Sequence, residues 1–85
     1  MNIFLIFIDA LEATYLSEAY REIIQKYDKR AIVLGTTPRQ GEKLILESNT
    51  KAAYFEVVDV VHRTEKQGRF QVDLYLKATL PPFQP

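Results

Sequence analysis

Six consecutive apolar residues, Ile3-Phe4-Leu5-Ile6-Phe7-Ile8, narrow what this chain can become. Successive side chains of an extended strand point to opposite faces, so a run with no polar interruption needs cover on both sides. A membrane span takes about 20 apolar residues. A secretory segment is longer than this one and follows basic residues, whereas here the run ends at Asp9. The run therefore reads as a central β-strand, and the expected location of the protein is the cytoplasm.

After Asp9 the hydrophobic period changes. Asp9 stands three residues before Glu12, the spacing of a capping box. Leu11, Tyr15, Ala19, Ile23 and Tyr27 then recur every four residues, with Leu16, Tyr20 and Ile24 beside them and charged residues opposite. This pattern predicts one amphipathic helix from Leu11 to Tyr27, with its tyrosines in or at the rim of the core. Glu22 and Lys26 have the favourable i,i+4 order for an ion pair. Asp28-Lys29-Arg30 ends the helix without a glycine.

Ala31 to Leu34 reads as a second strand. A strand, a helix and a strand in succession predict a right-handed β-α-β unit with parallel strands. Gly35 to Gly41, with a proline and two threonines, is the main break, and Pro38 to Leu44 has the form of a turn that opens a strand. Lys43 to Glu47 is the third strand. Ala52 to Arg63 and Arg69 to Leu80 form a hairpin around Glu65-Lys66-Gln67-Gly68. Strict alternation puts Phe70, Val72, Leu74, Leu76, Ala78 and Leu80 on its buried face, and Arg69, Gln71, Asp73, Tyr75 and Lys77 on the wetter one. That register leaves Phe55 and Val57 outward, unless a β-bulge at Val57-Val58 switches faces.

The predicted fold class is thus α+β: a single helix packed on a mixed, strongly curved sheet in the order β-α-β-β-β-β, with a small half-barrel as one form it can take. At 85 residues the chain fits one domain, expected over 1–80, with an extended tail over 81–85 after two prolines. Its 47% hydrophobic content is enough for a core, and without cysteine the fold stands on packing alone.

Groups suited to catalysis are sparse. The formal net charge is zero, without the basic excess usual for a nucleic-acid binder. His62 is the single histidine, and a metal site needs several converging ligands, so neither a metal nor another cofactor is expected. Asp59 and Asp73 share one face of the hairpin. They are either a cation site or acid/base couple, or carboxylates bridged by Arg63, Lys77 or Gln71. The loop bearing Thr36, Thr37 and Arg39 has the composition of an anion-binding turn and equally of an ordinary one.

Phe55, Val57, Val61 and Tyr75, beside Arg63 and Lys77, form the expected interaction strip. Aromatic and basic residues together on an open sheet suit a protein interface or a single-stranded nucleic acid. The balance of charge favours the first. The expected function is that of a small soluble binding or accessory module, not an enzyme, docking a protein partner or a second copy of itself as a homodimer. The alternatives are a nucleic-acid-binding domain using the sheet face and the 36–43 loop, and an enzyme or cation site at Asp59 and Asp73.

Overall fold

The apolar run does lie inside a sheet. The computed structural model describes residues 2–13, 16–64 and 70–79, and in it the run forms β1 (Asn2–Phe7). Four more strands follow: β2 (Ala31–Val33), β3 (Lys43–Ser48), β4 (Lys51–Thr64) and β5 (Phe70–Thr79). They complete one mixed, strongly curled half-barrel sheet of order β2-β1-β5-β4-β3. The predicted turn at 65–68, and Leu80 with the tail at 81–85, lie outside the described residues.

β1 and β5 run parallel and in register, Ile3 beside Val72, Leu5 beside Leu74 and Phe7 beside Leu76. These six side chains are buried on one face together with Phe55 and Val57 of β4. Tyr20, Ile23 and Ile24 close the core from above. Phe55 is the hub, meeting the Phe7 ring edge-on at 4.9 Å and the Tyr20 ring at 5.8 Å. Each large apolar side chain buried in this way contributes about 1.5–3 kcal/mol relative to exposure.

The predicted single helix is broken into α1 (Ala10–Ala13) and α2 (Glu18–Tyr27). Ser17 is the cause: its backbone is extended, and its hydroxyl accepts the Tyr20 N–H at 3.4 Å as an N-cap. Serine offers the backbone this alternative to a continuous helix. Asp9 turns its carboxylate to the Ala78 amide, at 3.2 and 3.3 Å, and so ties the start of the helical segment to β5.

After α2 the chain returns to the end of β1 that it left, where the Phe7 amide donates to Asp28 and the Lys29 amide to the Leu5 carbonyl. Lys29 takes a positive φ of 57° to make this turn. β2 then runs back along β1, pairing Asn2 with Val33 and Phe4 with Ala31 in antiparallel sense. The expected parallel β-α-β unit is therefore absent, and the parallel neighbour of β1 is β5.

A bulge decides the faces of β4. Val57 pairs with Leu76 and Asp59 with Tyr75, which leaves Val58 as the extra residue. Phe55 and Val57 consequently face the core and are 0% exposed, correcting the outward placement that strict alternation gives them. Beyond the bulge Val60 pairs with Leu74, and Val61 with Asp73. A two-residue loop joins β3 to β4, with Asn49 at φ 56°, a conformation that tight hairpin turns demand.

Candidate functional site

Only one face of the sheet meets α2. On the other face the registers set Ile6 of β1 beside Tyr75 of β5, and Phe4 of β1 and Val61 of β4 on either side of Asp73, these four apolar residues all being half-buried. Val33 on β2 is on the same face and 75% exposed, and Ile45 on β3, 51% exposed, lies on it beside Tyr54, beyond the charged line Lys43, Glu56 and Lys77. The group of four replaces the expected strip. Val61 and Tyr75 stand where the sequence put them, while Phe4 and Ile6 take the places assigned to Phe55 and Val57. The signal for them was the opening run itself, whose second face had no helix to cover it.

Two carboxylates on this face, Asp73 and Glu56, are each paired with a cation. Asp73 is buried, its carboxylate taking Arg63 Nε at 2.8 Å on one oxygen and Gln71 Nε2 at 2.8 Å on the other. Arg63 Nη2 adds a longer contact of 3.4 Å. Burying a carboxylate without partners is costly, so Arg63 and Gln71 are what allow Asp73 to sit between apolar neighbours. Asp59 is exposed and diagonal to Asp73, and it accepts the Val60 amide at 2.9 Å. The two carboxylates share a face but no common ligand. Among the described residues no three histidine, aspartate or glutamate side chains converge on one point.

Lys43 Nζ lies 2.7 Å from Glu56. That hydrogen bond, with the charge of Lys43 and then of Lys77 across the strands, holds the Glu56 carboxyl below its usual range. Arg63 and Lys43 therefore each have an acidic neighbour, and Lys77 faces Glu56.

The 36–43 loop is built by turn chemistry. The Glu42 amide donates to the Arg39 carbonyl at 3.0 Å, the Arg39 amide donates to the Glu42 carboxylate, and Gly41 between them has φ 89°. A side chain rarely adopts that φ, which is why glycine stands there. The Gly41 amide and the Glu42 carbonyl both bond Val57, and this junction opens β3.

Thr37 and Arg39 line a shallow cleft of about 280 Å³ with Pro38, Gln40, Asp59, Val60 and His62. The cleft thus gathers the histidine, one carboxylate and the loop, which the sequence shows only as separate features. Thr36 is exposed and is not among its lining residues. The link is made by the bulge, because it fixes which residues of β4 meet the loop.

Among the described residues no helix is long and apolar enough to cross a membrane. Comparison with protein families, with curated proteins and with solved structures finds no match for this chain.

Proposed function

We propose that this protein is a small cytoplasmic binding or accessory module, and that it docks a protein partner on the sheet face centred on Ile6 and Tyr75. The observation that carries this reading is the half-buried group Phe4, Ile6, Tyr75 and Val61 on the face away from α2. Apolar and aromatic residues gathered on an open face are a mark of contact sites, where tyrosine and arginine are enriched.

The local charge indicates the partner's chemistry. Nucleic acid binds through cations free to neutralise phosphate. Here Arg63 is held by Asp73 and Lys43 by Glu56. A locally neutral face suits a protein surface that offers aliphatic or aromatic side chains.

A photo-crosslinking amino acid in place of Tyr75 identifies the partner in cells, and calorimetry with the purified partner then measures the contact. The reading expects Val61→Lys with Tyr75→Lys to weaken binding by roughly a hundredfold, as loss of a central aromatic anchor does. Unchanged affinity in a variant that melts like the wild type would overturn it. Binding of single-stranded oligonucleotides at physiological salt, lost in Lys77→Ala, would favour the nucleic-acid reading.

A further inference from the structure

β3 ends the sheet, and its sequence is Lys43-Leu44-Ile45-Leu46-Glu47-Ser48. The Val57 amide donates to the Glu42 carbonyl at 2.9 Å, which sets the phase of the strand. Residues of an antiparallel strand alternate in the side to which they turn their N–H and C=O. Glu42, Leu44, Leu46 and Ser48 therefore face β4, and Lys43, Ile45 and Glu47 face the open edge. The Glu47 carbonyl agrees with this phase, since it accepts the Tyr27 hydroxyl at 2.8 Å from outside the ladder. A carbonyl has two lone pairs, so one acceptor site remains there.

The same three residues project exposed side chains on the face away from α2. The opposite edge differs, because β2 is only three residues long. A short edge strand is one of the ways proteins prevent pairing, and β3 lacks that protection.

We propose that β3 pairs antiparallel with β3 of a second copy about a two-fold axis at Ile45, joining the two sheets into one. The charges point to a copy of this chain as the occupant. Centred on Ile45, the pairing sets Lys43 against the partner's Glu47 and Glu47 against the partner's Lys43, with isoleucine facing isoleucine. Opposite charges directly across strands stabilise a pair and like charges disfavour it. A register displaced by two residues sets Ile45 against a charge and loses both ion pairs. Edge lysines usually deter pairing; here the opposite sign at the mirrored position cancels that effect. The dimer leaves Ile6 and Tyr75 uncovered, so it is independent of docking on the sheet face.

Sedimentation equilibrium over a wide concentration range, with thermal melts to confirm folding, tests the pairing. Ile45→Pro removes only an N–H that faces the open edge, a position where proline is tolerated, and it should abolish the dimer. Glu47→Lys and Lys43→Glu should each weaken self-association by roughly tenfold or more, since each turns two attractions into repulsions. Lys43→Glu also removes the exposed pair with Glu56, which contributes little to folding. Mixed together, these two charge variants should form a heterodimer with near wild-type affinity, and this outcome decides the matter if Ile45→Pro fails to fold. A wild type that stays monomeric at the highest concentration overturns the proposal. So does a dimer indifferent to all three substitutions, and one lost only in Tyr75→Lys would move self-association to the sheet face.

Discussion

Arg63 Nε lies 2.8 Å from Asp73 Oδ2, and the arginine is more than half exposed while the aspartate is buried. The pair spans β4 and β5 diagonally, since the direct partner of Asp73 is Val61 and Arg63 lies two residues further along β4. Its importance is therefore asymmetric. Removing the exposed cation leaves a buried carboxylate with Gln71 as its remaining side-chain donor, whereas an exposed pair of the same length would contribute little. Arg63→Ala should lower the unfolding free energy by about 1–3 kcal/mol, the penalty for a buried polar group left short of partners. Asp73→Asn should also destabilise, in contrast to the neutral or stabilising effect expected of an idle like-charged couple. Urea melts read both changes. Stability unchanged in Arg63→Ala would mean that the exposed arginine is not needed to keep the carboxylate buried.

The core assignment makes a second test simple. Ile23 is wholly buried on the inner side of α2, while Val33 is 75% exposed on β2. Ile23→Ala should cost about 2–5 kcal/mol, the range for deleting a buried large aliphatic. Val33→Ala should change stability by less than about 0.5 kcal/mol, as surface substitutions do. Comparable losses in the two variants would contradict the placement of the core.

Gly41 and Gly35 provide a third contrast, because neither has a neighbour that an added Cβ would meet. They differ in backbone: Gly41 has φ 89°, and Gly35 lies outside the left-handed region. Gly41→Ala should therefore destabilise by about 1 kcal/mol or more, from strain alone. Gly35→Ala should be neutral, or raise stability by up to about 1 kcal/mol by restricting the unfolded chain. Chemical denaturation of the pair separates strain from packing, and a stable Gly41→Ala would show that the turn at the start of β3 tolerates another conformation.

What could be read from the residues was local period. Ile3 to Ile8 announced a strand needing cover on two sides, the alternation from Gln71 to Lys77 marked β5, and Pro38 to Leu44 marked the turn that opens β3. What period does not encode is the direction of a neighbour. β2 is three residues long, and nothing in Ala31-Ile32-Val33 distinguishes antiparallel pairing from the parallel pairing that a helix between strands suggests. Nor does period encode a cap: Ser17 starts α2 within a stretch of unbroken four-residue spacing. The faces of Phe55 and Val57 were open for a related reason. One inserted residue reverses the alternation, and the sequence Val57-Val58 admits the bulge without requiring it. The same bulge keeps Val61 and Tyr75 on the face away from α2 while Phe55 and Val57 turn into the core.

A last prediction concerns pH. Lys51, at the start of β4, lies 2.6 Å from Glu22 and 3.3 Å from Glu18, tying α2 to the sheet. The i,i+4 pattern on the helix gave Glu22 to Lys26, but Lys26 reaches Ser48 instead, at 3.5 Å. The hydrogen bonds that Lys51 donates to Glu22 and then to Glu18 raise its pKa above the ordinary 10.5. A cation whose pKa is higher when folded contributes stability in full below its unfolded pKa, and loses it as pH rises through the folded value. The tie should therefore be intact at neutral pH and fail only in alkali. Thermal melts of wild type and Lys51→Met should differ by a constant amount up to about pH 10, then converge above the lysine range. Because the three side chains are partly exposed, added salt should narrow the difference at neutral pH as well. A gap that persists unchanged above the lysine range would assign the effect to the packing of the lysine stem rather than to its charge.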